Sequence, residues 1–235
     1  MTTVLLVRHG RTAANASGVL AGWTPGVHLD EAGTAQVVAL ATRLAPVPLQ
    51  TIVTSPLERC QETAQALIGG RDGAAVQVDD RLGECRYGDW TGRSLKDLAK
   101  DPLWKVVQSH PSAATFPGVA GESMRGMQAR AVDAVRDWNA RLGPDATWVA
   151  VSHGDVIKAI VADALGMHLD QFQRIQADPC SLAVIRYTDL RPFVVRLNDT
   201  GGSVDALIPK PRGRRGRGRK AAQPSDAAVG GGAGS

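Results

Sequence analysis

Residues 4–10 read Val4-Leu5-Leu6-Val7-Arg8-His9-Gly10. Four consecutive branched apolar residues leave no polar face, which is the pattern of a strand buried on both sides of an α/β sheet. The run stops on three residues of different chemistry, and in such sheets ligands gather beyond the carboxyl ends of the strands. Gly10 lets the backbone turn and approach a ligand closely. Arg8 presents a planar fork suited to phosphate or carboxylate, and His9 a nitrogen that is neutral near pH 7. Alone, the tripeptide also fits a solvated strand-end loop, so its meaning depends on a second cluster elsewhere.

Outward from this strand, further strand candidates are residues 51–54, 75–79, 147–152, 181–188 and 193–197. Helical patterns lie between most of them. Asp30 caps a helix over about 31–45, in which Ala35, Val38, Ala39, Leu40 and Leu44 have helical spacing. Ser55-Pro56 opens another with proline in its first turn. Ser123 starts a long helix to about Leu142, ended by Gly143-Pro144, and a further one follows Gly154 and closes near Gly166. Strands alternating with helices predict an α/β fold: a three-layer α/β/α sandwich on a mostly parallel central sheet. The last two strands, joined by a turn around Asp189–Pro192, form a hairpin that supplies an antiparallel edge strand.

The chain has 235 residues, 43% of them hydrophobic, which suits one sizeable core. The expected organisation is a catalytic domain over 1–200 and a disordered tail over 201–235, where Gly, Pro, Arg, Ala and Ser dominate without periodicity. No run approaches the roughly 18 apolar residues of a membrane span, and the amino terminus lacks a signal-peptide pattern. The expected location is therefore cytoplasmic. Cys60, Cys85 and Cys180 are odd in number and have no CxxC spacing, which argues against a disulfide framework or a zinc site. They read as buried filler.

The net charge of +4 is unevenly placed, because residues 201–235 carry seven basic residues against two acidic ones and the remainder sums to −1. Two readings of this basic tail stand side by side: nonspecific contact with nucleic acid or an anionic surface, and a solvated tail with no partner. Oligomeric state, monomer or homodimer, is left open.

The second cluster comes from Ser152-His153-Gly154-Asp155, so two strands of one sheet each end in His-Gly. The strand at 51–54 leads into Ser55-Pro56-Leu57-Glu58-Arg59, which brings Arg59 to the same edge. The stretch Leu82-Gly83-Glu84-Cys85-Arg86-Tyr87-Gly88-Asp89-Trp90 adds a carboxylate, Glu84. Two arginines, two histidines and a carboxyl group suit phosphoryl transfer, where catalysis is mostly positioning and electrostatic stabilisation. Arginines grip equatorial oxygens, a neutral histidine can attack phosphorus, and a carboxylic acid can protonate the leaving oxygen.

These residues fall into motifs. Arg8-His9-Gly10-Arg11-Thr12 with Asn15 resembles the RHGxTxxN signature of the histidine phosphatase superfamily, the phosphoglycerate mutase-like proteins. Gly22-Trp23 with Leu29 to Gly33 and Gln36, the Ser55 to Ala64 block, Leu82-Gly83-Glu84 with Tyr87-Gly88 and Trp90-Thr91-Gly92, and finally Gly121-Glu122-Ser123 with Val151-Ser152-His153-Gly154 follow in family order. The resemblance covers roughly residues 3 to 197. It implies a phosphoglycerate mutase-like fold and a phosphatase acting on a small phosphate ester. His9 would be the nucleophile, Arg8, Arg59 and His153 would form the phosphate pocket, and Glu84 would be the general acid. Asn15, the Gly22 backbone and Gly154 would contact the substrate. It implies no metal and no organic cofactor, and His28, His110 and His168 form no ligand-spaced cluster.

Departures from the family pattern are Arg11, where Glu is frequent, and Ala21, where Gln is frequent; both alter the rim. Arg86 adds a positive charge near the entrance and, with Arg11, either favours a polyanionic substrate or is simply solvated. Residues 93–122 are expected to cap the pocket. The alternative within the fold is phosphoglycerate mutase-type phosphoryl transfer; the compact spacing from Glu84 to His153 favours hydrolysis. From another class comes a noncatalytic binding or regulatory protein with a nucleic-acid-contacting tail, against which all five catalytic residue types are retained.

Overall fold

The structure is a computed structural model, and it describes residues 1–69 and 75–201. The tail expected to be disordered therefore lies, from residue 202 onward, outside the described residues.

The chain runs β1 (Thr2–Arg8), α1 (Ala13–Ser17), α2 (Glu31–Leu44), β2 (Thr51–Thr54), α3 (Glu58–Ile68), β3 (Ala75–Val78), α4 (Leu95–Leu98), α5 (Pro102–Ser109), α6 (Met124–Leu142), β4 (Thr147–Ser152), α7 (Gly154–Ala164), β5 (Leu182–Tyr187) and β6 (Pro192–Asp199). The six strands form one sheet in the order β3-β2-β4-β1-β5-β6. β3, β2, β4 and β1 pair in parallel, while β5 is antiparallel to both β1 and β6. The single antiparallel strand is thus one place in from the edge. The hairpin folds its second strand outward, so β6 forms the rim and runs in the same direction as β1.

Strand alternation divides the core into two layers. Val4 and Leu6 of β1 and Trp148 and Ala150 of β4 face one cluster with α6 and α7. Leu5, Val7, Val149 and Val151 face the other with α2 and α3. This is why the apolar run of β1 is continuous: both of its faces are covered.

Asp30 caps α2 by accepting from the Gly33 N–H at 2.7 Å, and Ser123 caps α6 by accepting from the Gly126 N–H at 3.0 Å. The start of α3 differs from expectation. The helix opens at Glu58 behind an N-cap Leu57 that has no side-chain capping bond, so Pro56 lies outside its first turn. The Ser55 hydroxyl meets His153 at 2.8 Å and accepts from the Leu57 N–H at 3.3 Å, ahead of the helix.

Register places the functional strand ends side by side: Arg8 pairs with Ser152 and Thr54 with Val151. The turn after β1 lies flat on the first turn of α2. A Cβ at Gly10 would stand 2.7 Å from the Gly33 carbonyl oxygen, and one at Gly33 would overlap the Arg11 backbone. Gly33→Ala should therefore lower stability by about 1–3 kcal/mol through overpacking, read as a lower denaturant midpoint with an unchanged m-value; an unchanged midpoint would contradict this packing.

Candidate active site

Arg8, His9, Arg59, Glu84 and His153 are all buried and converge at the carboxyl edge of the sheet. Arg8 ends β1 and donates from Nη1 to the Ala177 carbonyl at 2.8 Å. The His9 backbone N–H continues the strand pairing to the Ser152 carbonyl at 3.0 Å. His9 Nδ1 lies 2.7 Å from the Gly10 carbonyl oxygen, which can only accept, so Nδ1 carries the proton. Nε2 is left with its lone pair and accepts from Arg59 Nε at 3.3 Å.

Arg59, in the first turn of α3, also donates from Nη2 to the Gly22 carbonyl at 2.8 Å and to His153 Nδ1 at 3.2 Å. Since a guanidinium only donates, Nδ1 of His153 is the acceptor and Nε2 bears the hydrogen shared with Ser55 Oγ. The His9 and His153 rings meet edge-on with centroids 5.2 Å apart. Burial first, then the positive charge of Arg59, pushes both imidazoles well below the usual histidine range, so both are neutral.

Glu84 follows the short turn Asp80–Leu82 behind β3. One carboxyl oxygen accepts from the Cys85 N–H at 2.9 Å and the other lies 3.9 Å from His153 Nδ1. Its backbone carbonyl is held by Trp23 Nε1 at 2.6 Å and Arg130 Nη2 at 2.9 Å. Burial, and next the negative charge of Asp155, raises its pKa to about 7 against the pull of Arg59. Glu84 is thus a buried carboxyl group and not a surface one.

The other expected residues are placed differently. Asn15 Oδ1 accepts from the Thr12 N–H at 3.1 Å and hydroxyl at 3.0 Å, closing a capping box on α1. Among the described residues, no hydrogen bond joins Asn15 to the histidine cluster. The carbonyl of Gly22 is taken by Arg59, and Gly154 opens α7 directly after His153. Within 93–122, Leu98, Val107 and Phe116 are buried in the core. A cavity of about 370 Å³ opens between Trp23, Thr24, Pro25, Arg86, Gly88, Thr91 and Ala120.

Several supporting residues escaped the sequence reading. Ser55 accepts the Nε2 hydrogen of His153 at 2.8 Å. Thr63 accepts from the Gly10 N–H at 3.1 Å and donates to the Arg59 carbonyl at 2.8 Å. Buried Asp155 accepts from the Tyr87 hydroxyl at 2.9 Å and pairs with Lys158 at 3.3 Å. A lysine inside the apolar run Val156-Ile157-Lys158-Ala159-Ile160 was a legible signal of a buried charge pair. Cys60 and Cys85 are buried free thiols, the former pushed up to about 12 by burial, which removes the thiolate needed for reactivity. Among the described residues no cluster of three or more His, Cys, Asp or Glu is arranged to hold a metal ion, and no helix is long and apolar enough to cross a membrane.

The chain carrying this site matches the sequence profile of the histidine phosphatase superfamily (branch 1) over residues 4–200 and belongs to that family. It is an enzyme that hydrolyses phosphate monoesters. It is similar to the glucosyl-3-phosphoglycerate phosphatase of Mycolicibacterium vanbaalenii, 33% identical over 176 residues covering 72% of this chain and 76% of the relative. The adenosylcobalamin/alpha-ribazole phosphatase of Escherichia coli is 29% identical over 181 residues, covering 74% and 84%. Among solved structures, YhfR of Bacillus stearothermophilus superposes with a TM-score of 0.77 at 30% identity, over 85% of this chain and 98% of that one.

Ser55→Ala removes the acceptor of the His153 Nε2–H but leaves Arg59 donating to Nδ1. Long-range ¹⁵N–¹H correlation spectra should show His153 as the Nε2–H tautomer in both wild type and variant, with a stability loss of about 1 kcal/mol in the variant. A pure Nδ1–H signal in the wild type would contradict the assignment.

Proposed function

We propose that hydrolysis runs in two steps through a phosphohistidine on His9 Nε2, with Glu84 as proton donor and then acceptor. The observation that carries this reading is the His9 tautomer: the Gly10 carbonyl takes the Nδ1 proton at 2.7 Å, leaving the Nε2 lone pair inside a cage of cations. Attack of that lone pair forms the N–P bond and breaks the P–O ester bond, while the Glu84 proton passes to the leaving oxygen. Water then attacks the phosphohistidine and yields a proton to the Glu84 carboxylate. The N–P bond breaks, phosphate is released, and both side chains return to their starting forms.

Arg8, Arg59 and His153 would hold the phosphoryl oxygens. Arg59 Nη1 supports this role, being buried without a hydrogen-bond partner among the described residues. Gly154, at the amino end of α7, adds the positive end of a helix dipole. Asn15 would use its amide N–H₂, since its oxygen is spent on Thr12, and Gly22 would line the route to the cavity. Relatives named for glucosyl-3-phosphoglycerate and for α-ribazole phosphate support hydrolysis of a small metabolite ester over transfer to a second metabolite.

His9→Ala should abolish p-nitrophenyl phosphate turnover and acid-labile phosphate incorporation; retained turnover would overturn the reading. Glu84→Gln keeps the shape but cannot give a proton. It should lower kcat for an alkyl phosphate by about 10²–10⁴-fold, and less for p-nitrophenyl phosphate, whose leaving group departs without protonation. Because the working form of Glu84 is protonated and its pKa is raised to about 7, kcat/KM should be full below that pH and fall as pH rises through it. A profile flat through pH 8 for an alkyl ester would exclude Glu84 as the acid.

A further inference from the structure

The cavity beside the cage has mostly apolar walls, and Arg86 is the charged residue lining it. The guanidinium carbon of Arg86 stands 3.9 Å from the centroid of the Trp23 ring. Trp23 is fixed by its indole N–H on the Glu84 carbonyl at 2.6 Å, and its neighbour Gly22 is fixed by Arg59 at 2.8 Å. The platform under Arg86 is therefore tied at both ends to the phosphate cage. Arg86 meets Glu122 through its backbone alone, donating its N–H to the Glu122 carboxylate at 2.8 Å and accepting from the Glu122 N–H at 2.9 Å, and the Glu122 carboxylate itself is bound by Arg130. Among the described residues no carboxylate pairs with the Arg86 guanidinium. Arg11, the other rim arginine, differs because Asp30 neutralises it at 2.8 Å.

We propose that Arg86, stacked on Trp23, recognises a carboxylate on the leaving group, so that the preferred substrates are phosphate esters of hydroxy acids. This deepens the phosphohistidine reading and rests on it, because the subsite is tied to that cage through Trp23 and Gly22. A guanidinium whose face lies on an indole keeps its in-plane N–H groups available, and that fork matches a carboxylate bidentately. One guanidinium balances the single charge of a carboxylate, whereas a second phosphate would bring about −1.5 to −2. The apolar wall of Trp23 and Pro25 lowers the local dielectric, which strengthens the pairing.

A matched pair of probes isolates the carboxylate. 3-Phosphoglycerate and glycerol 3-phosphate differ only in bearing a carboxylate or a hydroxymethyl group, and each can compete with p-nitrophenyl phosphate whether or not it is turned over. The wild type should be inhibited about tenfold more tightly by 3-phosphoglycerate, the size expected of a charge-assisted hydrogen-bonded pair. Arg86→Gln should shrink that ratio to within about twofold, and Arg86→Lys, which keeps the charge without the fork, should retain an intermediate ratio. Equal competition in the wild type, or a preference that survives Arg86→Gln, would overturn the proposal. The ratio is independent of overall activity, so a failure here is distinct from a failure of the phosphohistidine reading, which is read from His9→Ala.

Discussion

The buried Arg59 guanidinium donates at once to His9 Nε2 at 3.3 Å, His153 Nδ1 at 3.2 Å and the Gly22 carbonyl at 2.8 Å. These groups come from the end of β1, the end of β4 and the loop before α2, so one side chain aligns three distant parts of the chain. Burying a cation is costly unless hydrogen bonds and opposite charges offset it. Here the two imidazole nitrogens and the Gly22 carbonyl supply acceptors. The same cation, with Arg8 beside it, keeps both imidazoles neutral. Thr63 ties the Arg59 carbonyl to the turn at Gly10, so the guanidinium and the histidine it faces cannot drift independently.

A second layer holds the carboxyl group. The Glu84 backbone is clamped by Trp23 and Arg130, and Arg130 also bonds the carbonyls of Arg81 at 2.7 Å and Gly83 at 2.8 Å. Behind it, Asp155 gathers the Tyr87 hydroxyl and Lys158, and Lys158 reaches Gln173 and lies 4.4 Å over the Phe172 ring. Two carboxyl groups buried near one another raise the cost of ionising the second, which accounts for part of the upward shift at Glu84. The proposed acid thus depends on residues that touch no substrate.

The strands at 51–54 and 147–152 and the helix that ends at Leu142 were legible because each has an unbroken periodicity bounded by a cap or breaker. The start of α3 was misread because Ser-Pro is a general opening signal, whereas this serine faces a histidine 98 residues away. Residues 93–122 have a mixed composition, and only packing shows Leu98, Val107 and Phe116 turned into the core while Ala120 lines the cavity with Trp23 and Arg86.

Sequence alone determined which residue types end the strands, because a continuous apolar run followed by Arg-His-Gly has few other meanings when it occurs beside a second His-Gly. The resemblance carried by those motifs assigned the candidate roles. Tertiary structure decided what local pattern cannot encode: the tautomers of His9 and His153, the burial of Glu84, and the contrast between Arg11, neutralised by Asp30, and Arg86, stacked on Trp23. The physical reason is that protonation state and charge pairing depend on partners brought together by long-range packing, and the chain's local periodicity carries no information about them.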